Sequence, residues 1–295
     1  MAGEGALTGQ AALVTGGGGG IGGAAAAWLA RDGAAVVIMG RTEATLVESE
    51  ARIRAFAGDD AAITRHVGDA LDADQLQDAL AKAQALTGRL AIAVGVVGGG
   101  GGMKPLLMVE EPEVIDQFRR NVVSAYLLIR HATPLMVEGG GGSIVCVSSD
   151  AAMLPWPFLA IYTTVKAGLE GLVKAAAVEL GPLNVRVNAV RPGLTKTEAT
   201  KNGLFANAPV LKQFTDLKPL GRAGEPDDIA AGIRYLAGPE SSWVTGKSIG
   251  IDGGNELTMA PRLEGLIRQR WGDEVIDIAL SGRIPPPRHP ALTAR

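Results

Sequence analysis

The sequence predicts an α/β protein: a doubly wound sheet of seven parallel strands flanked by helices, followed by a C-terminal extension. Three observations carry this expectation. From residue 10 to about 254, short β-branched runs alternate with longer runs of helical period, the pattern of parallel strands joined by crossover helices. A glycine-rich turn joins the first apolar run to the first helical one. The chain has 295 residues and is 47% hydrophobic, enough to build one large core.

In order, the strands are AALVT (11–15), AAVVIM (34–39), AAITRHV (61–67), LAIAVGV (90–96), SIVCVS (143–148), VRVNAV (185–190) and GKSIGI (246–251). Helical periodicity places helices over 21–32, 43–57, 72–87, 113–137, 160–180 and 226–237. The glycine runs at 98–102 and 139–142 read as turns between elements. Residues 195–217, of mixed polarity and rich in turn formers, read as a mobile lid. Residues 1–259 therefore form one dinucleotide-binding and catalytic unit of Rossmann type. Residues 260–295 form an appendage: a helix over 262–281 with an apolar stripe that must be covered, then RIPPPRHPALTAR, whose prolines forbid helix.

A formal charge of −3 leaves no cationic surplus for a polyanion, so nucleic acid is not an expected partner. No uncharged run reaches the eighteen or so apolar residues of a spanning helix, and MAGEGALTGQ has no basic start, so a soluble cytoplasmic protein is expected. The single cysteine, Cys146, lies inside an alternating strand and reads as core. Three scattered histidines make no metal cluster.

The stretch VTGGGGGIGGAAAAWLARDG runs from the first strand into the first helix. Glycine there permits positive φ and close approach of a pyrophosphate, and the helix start offers unpaired N–H groups, so Gly16, Gly20, Ile21 and Gly22 are the expected cofactor cradle. The second strand ends in Gly40 where an NAD site carries an acid, and Arg41 follows. A guanidinium suits a 2′-phosphate, so NADP is expected, with NAD possible through Glu43 as the alternative acid. Asp69, after the third strand, either accepts from an adenine amino group or caps the next helix.

Tyr162 and Lys166 are four residues apart and share one helix face. For a tyrosine to exchange protons near neutrality its pKa must fall by about three units, about 4 kcal/mol of differential stabilisation, which a neighbouring ammonium and a cationic nicotinamide both favour. The same lysine can hydrogen-bond the nicotinamide ribose. Ser149, ending the fifth strand, can donate to a substrate oxygen beside that tyrosine; Ser148 competes for the role. Asn121 stands inside a helix that does not favour it, which marks a side chain used for hydrogen bonding.

TGGGGGIG, Asn121, the SS ending a strand and YTTVK together resemble the short-chain dehydrogenase/reductase family in its single-domain form. RVNAVRPGLTKTE and PLGRAGEPDDIAAGIRYLAGPESSWVTGKSIGIDGG resemble its later segments, and the likeness covers residues 8 to about 254. It implies a catalytic group of Ser149, Tyr162, Lys166 and Asn121, with Tyr162 as acid/base and Asn121 holding a water that relays protons through Lys166. It implies Pro192, Gly193 and Thr195 beside the nicotinamide, and a homotetramer or dimer built on the helices near 113–137 and 160–180. The implied activity is hydride transfer between NADP(H) and a small carbonyl or alcohol substrate. The four-residue Tyr-to-Lys spacing points to carbonyl rather than enoyl chemistry. A 3-oxoacyl-thioester reductase and a non-catalytic NADP(H)-binding regulator stay open as alternatives. One departure stands out: Gly95, Val96, Val97 and Gly98 replace the family's usual Asn-Asn-Ala-Gly, which removes a side chain that normally ties down the central sheet.

Overall fold

The computed structural model describes residues 5–99, 103–257 and 263–282. Its centre is a seven-stranded sheet: β1 (Ala11–Thr15), β2 (Ala35–Gly40), β3 (Ile63–Val67), β4 (Leu90–Gly95), β5 (Gly142–Val147), β6 (Val185–Pro192) and β7 (Ser248–Ile251), in the order β3-β2-β1-β4-β5-β6-β7. Every neighbouring pair is parallel. The strand order reverses between β1 and β4, and in such a sheet the crevice at the carboxyl edge there receives ligands.

Period-two alternation assigns the two faces. Ala12, Val14, Val36, Ile38, Val94 and Val145 face a layer containing α1 (Gly20–Arg31), α2 (Glu43–Ala57) and α9 (Pro226–Ala237). Leu13, Val37, Met39, Ala93, Ile144 and Cys146 face α3 (Ala73–Thr87), α5 (Ser124–Glu138) and α6 (Ala160–Leu180). Both faces are covered, so the strands read as nearly continuous apolar runs. Behind the sheet, buried Arg234 on α9 ties Asp32 to Glu240, the second ion pair at 2.6 Å.

The β1–α1 turn is built on glycine for two different reasons. Gly16 has φ of +71°, and a Cβ on Gly22 would stand 2.2 Å from the Gly16 carbonyl oxygen. The turn is thereby drawn tight under the start of α1, whose N-cap, Gly19, supplies no side-chain cap.

Three expectations change in detail. The single helix expected over 113–137 is α4 (Glu111–Phe118), a π-helical turn (Arg119–Val123) and α5. The cause is Asn121, whose side-chain amide bonds the Gln117 carbonyl and so intrudes into the helical ladder. The lid region carries two short helices, α7 (Glu198–Lys201) and α8 (Ala208–Asp216). The helix expected over 262–281 is two, α10 (Glu264–Trp271) and α11 (Asp273–Leu280), because Gly272 between them takes φ of +87°. The proline-rich tail from 283 and glycines 100–102 lie outside the described residues.

The extension's apolar stripe is covered by its own chain. Leu263 packs with Trp156, Leu194, Val210 and Phe214. Ile267, Val275 and Ile276 pack with Met108, and Phe158 touches both clusters. The vacancy left at Gly95 is also filled: a Cβ there would meet Leu128 at 3.1 Å, and Gly95 still pairs with Thr15 and Cys146 across the sheet.

Candidate active site

Four elements converge at the carboxyl edge. Ser149 follows β5 in extended conformation; its Oγ accepts from the Ala151 N–H at 3.2 Å and donates to Asp150 Oδ1 at 3.2 Å. Its competitor, Ser148, is turned away, donating to Glu170 Oε1 at 2.8 Å in the interior. Of the two serines, Ser149 is the one whose hydroxyl reaches Tyr162. Tyr162 and Lys166 lie one turn apart at the start of α6, with the lysine Nζ 5.7 Å from the centre of the phenol ring. Lys166 is buried and donates to the Val147 carbonyl at 2.8 Å, so the end of β5 fixes both the serine and the lysine.

Asn121 is fully buried. Its Oδ1 accepts from the Gly99 N–H at 3.2 Å, and its Nδ2 donates to the carbonyls of Gly99 at 3.2 Å and Gln117 at 3.0 Å. Gly98 presses against this group: a Cβ there would stand 2.6 Å from Asn121 Oδ1 and 3.2 Å from Lys166 Nζ. Gly98, the last residue of the Gly-Val-Val-Gly segment, therefore lies close against both the asparagine and the lysine.

The electrostatics depart from the expectation that the lysine lowers the phenol. Burial pushes the Tyr162 hydroxyl up to about 12; the Ser149 hydroxyl opposes this and the Asp150 charge adds to it. Burial also lowers the Lys166 ammonium to about 8, against the pull of Cys146 and Glu170. The groups of this chain alone keep the phenol protonated, because the ammonium is itself desolvated and spent on the Val147 carbonyl.

The expected cofactor residues line the same edge. Gly16 opens the β1–α1 turn, and Gly20, Ile21 and Gly22 form the first turn of α1. Arg41 is exposed just beyond β2 and enters no ion pair among the described residues, whereas Glu43, the alternative acid, is paired with Arg65. Asp69 does not cap α3; Asp72 does, while an Asp69 oxygen accepts from the Leu71 N–H at 2.9 Å. Pro192 ends β6, Gly193 is wedged where a Cβ would stand 2.8 Å from Asp252 Cα, and buried Thr195 donates to the Gly193 carbonyl at 2.9 Å. Beside Tyr162 a cavity of about 120 Å³ is bounded by Lys104, Glu113 and Phe158. Leu154, Phe158, Leu204 and Phe205 gather around Trp156, and Met153 is exposed.

Sequence reasoning missed Asp150 and Asn255, which bond each other at 2.7 Å behind Ser149. An acid immediately after the serine pair was the available signal for the first. Phe158, four residues before Tyr162, takes a left-handed φ of +68°.

A doubly wound sheet with a glycine cradle at one end of its crevice and a Ser-Tyr-Lys group at the other defines a dinucleotide-dependent oxidoreductase. The family model described as enoyl-(acyl carrier protein) reductase matches residues 16–256. The chain is 35% identical over 254 residues to human dehydrogenase/reductase SDR family member 2, mitochondrial, covering 85% of this chain and 88% of that one. It is 37% identical to the 2,5-dichloro-2,5-cyclohexadiene-1,4-diol dehydrogenase LinX of Sphingobium indicum, covering 84% and 96%. Among solved structures, a short-chain type dehydrogenase/reductase from Mycobacterium ulcerans superposes with a TM-score of 0.88 at 32% identity, covering 94% of this chain and 99% of that one. A 7α-hydroxysteroid dehydrogenase complexed with NADH superposes at 0.78 with 30% identity, covering 84% and 94%. The chain belongs to the short-chain dehydrogenase/reductase family, and its activity is that of an NAD(P)-dependent oxidoreductase. Among the described residues no helix is long and apolar enough to cross a membrane.

Proposed function

We propose that the protein is an NADP(H)-preferring reductase or dehydrogenase acting on a small ketone or secondary alcohol, with Tyr162 as the general acid/base. The carrying observation is the convergence of Ser149, Tyr162 and Lys166 at one sheet edge while Ser148 is committed to Glu170. The glycine turn fits a dinucleotide: side chains at Gly17 or Gly22 would collide with the turn's surroundings, and the first turn of α1 carries neither a side-chain cap nor an acid. When bound, the nicotinamide supplies or accepts the hydride.

The chain's own residues do the rest. Ser149 donates to the substrate oxygen, and Tyr162 gives that oxygen its proton in reduction or removes it in oxidation. Lys166 holds the cofactor ribose and carries protons from the interior, with Asn121 and its water as the relay. Arg41 binds a 2′-phosphate, Thr195 binds the carboxamide between Pro192 and Gly193, and Asp69 offers its remaining carboxylate oxygen to the adenine. The aromatic wall of Trp156, Phe158 and Phe205 selects an apolar substrate. The solved relative named for a hydroxysteroid and the relative named for a cyclohexadiene diol are consistent with a ring-bearing secondary alcohol. Exposed Phe118 and Tyr126 suit burial between subunits of a homotetramer or dimer.

The test is cofactor affinity and turnover together. NADPH binds more tightly than NADH, Arg41→Ala removes most of the preference, and Tyr162→Phe abolishes turnover of a panel of ketones and aldehydes. Equal affinities in the parent refute the cofactor choice, and turnover surviving in the phenylalanine variant refutes the acid/base role. The description of the matching family model names a second reading, enoyl-thioester reduction; the same panel separates it, and the 3-oxoacyl-thioester alternative, by including enoyl and 3-oxoacyl thioesters in free and carrier-linked form.

A further inference from the structure

Directly behind the serine lies a carboxyl group that this mechanism does not use. Asp150 is 5% exposed. Its Oδ1 receives the Ser149 hydroxyl at 3.2 Å and its Oδ2 receives the Asn255 side-chain amide at 2.7 Å, with Asn255 itself 1% exposed. The charged and titratable groups facing it are Tyr162 from α6, buried Lys218 from the segment after α8, and Asp252 from the turn after β7.

A carboxylate only accepts hydrogen bonds, whereas a carboxylic acid also donates one; a serine hydroxyl has a single proton to give. Ser149 Oγ already accepts from Ala151. When Asp150 is ionised, the serine proton is therefore drawn to Asp150 and away from the reacting oxygen. When Asp150 is protonated, its O–H donates to Ser149 Oγ, and the serine proton turns outward.

We propose that Asp150 is a positioning residue whose protonation state sets the direction of the Ser149 hydroxyl, so that carbonyl reduction is faster when the acid holds its proton. The inference rests on the roles proposed above for Ser149 and Tyr162. Burial pushes the Asp150 carboxyl up to about 6, with Asn255, Lys218 and Ser149 pulling it down and Asp252 pushing it up. The two orientations therefore exchange under mildly acidic conditions.

Two readouts test this. Infrared difference titration of the parent against Asp150→Asn, with no substrate, shows one carboxyl band disappearing near pH 6; loss of that band in the ordinary aspartate range overturns the proposal. In the parent, kcat/KM for carbonyl reduction falls roughly tenfold from pH 5 to pH 8, the worth of one hydrogen bond to the substrate. In Asp150→Asn it stays near the pH 5 value, because the amide always donates to Ser149. Superimposable pH profiles overturn the proposal. Asn255→Ala, which removes a donor to the carboxylate, moves the midpoint upward in both readouts and serves if Asp150→Asn does not fold; an unmoved midpoint overturns the proposal. A band that titrates near pH 6 in a protein whose Tyr162→Phe variant keeps full turnover leaves the Asp150 titration standing and sinks the acid/base role, so the two failures are distinguishable.

Discussion

Gly98→Ala places a methyl group where the structure has no room for one. The new Cβ would stand 2.6 Å from Asn121 Oδ1 and 3.2 Å from Lys166 Nζ, at a backbone φ of +156°. Asn121 yields only by giving up its two bonds to Gly99, both at 3.2 Å. Two buried neutral hydrogen bonds and one strained φ amount to about 3 kcal/mol. For a domain of this size that lowers Tm by roughly 5–12 °C. Displacing Asn121 and Lys166 by about 1 Å costs roughly a hundredfold in kcat. Circular dichroism melting and initial-rate NADPH oxidation measure the two effects. Gly99→Ala is the control, since φ there is +126° but a Cβ meets nothing within 4 Å, so it carries strain without collision. Should Gly98→Ala melt and turn over like Gly99→Ala, the idea that residue 98 clamps the asparagine to the lysine is wrong.

Two further substitutions probe buried charge. Lys166→Met abolishes turnover yet stabilises the fold. Lowering the ammonium from 10.5 to about 8 costs about 3 kcal/mol while it stays charged, and losing the bond to Val147 returns about 1 kcal/mol of that, leaving a gain of about 2 kcal/mol at pH 7. The folded pKa lies below the unfolded one, so the parent recovers stability as pH rises from 8 to 10.5 and the difference between the two proteins closes over that window. Urea unfolding at pH 7 and pH 10 measures it, and a gap that widens with pH contradicts the sign. Arg234→Leu takes from buried Asp32 its nearer cation, leaving only the partly exposed Arg31 at 3.5 Å, and lowers stability by up to about 3–5 kcal/mol, with catalysis unchanged in the surviving folded fraction. A loss under 1 kcal/mol by urea titration would show that Arg31 alone compensates Asp32.

The strands were legible because buried parallel strands leave β-branched runs between turn residues, and Tyr162 with Lys166 was legible because one helical turn separates them. The choice between Ser148 and Ser149 was not. It is decided by Glu170, twenty-two positions away, whose approach depends on how α6 lies over β5. The π-helical turn at Asn121 escaped for a similar reason: apolar period continues through residues 113–137, and only the capture of the Gln117 carbonyl breaks it. The tyrosine's surroundings were not legible either: spacing reveals that a lysine is near but not that it is desolvated and bonded elsewhere, so that the chain's own groups raise the phenol.

Phe158 touches both apolar clusters formed with the C-terminal helices and lies four residues ahead of Tyr162, held in a backbone conformation that favours glycine. All seven strands, with Ser149, Tyr162 and Lys166, leave the ribosome before Leu263, Ile267 and Ile276, the residues that complete the packing around that phenylalanine. The sheet is thus encoded early, and the wall that shapes the substrate's surroundings is the last part of the described chain to be made. Synthesis presents Tyr162 before the residues that pack around Phe158 have been made.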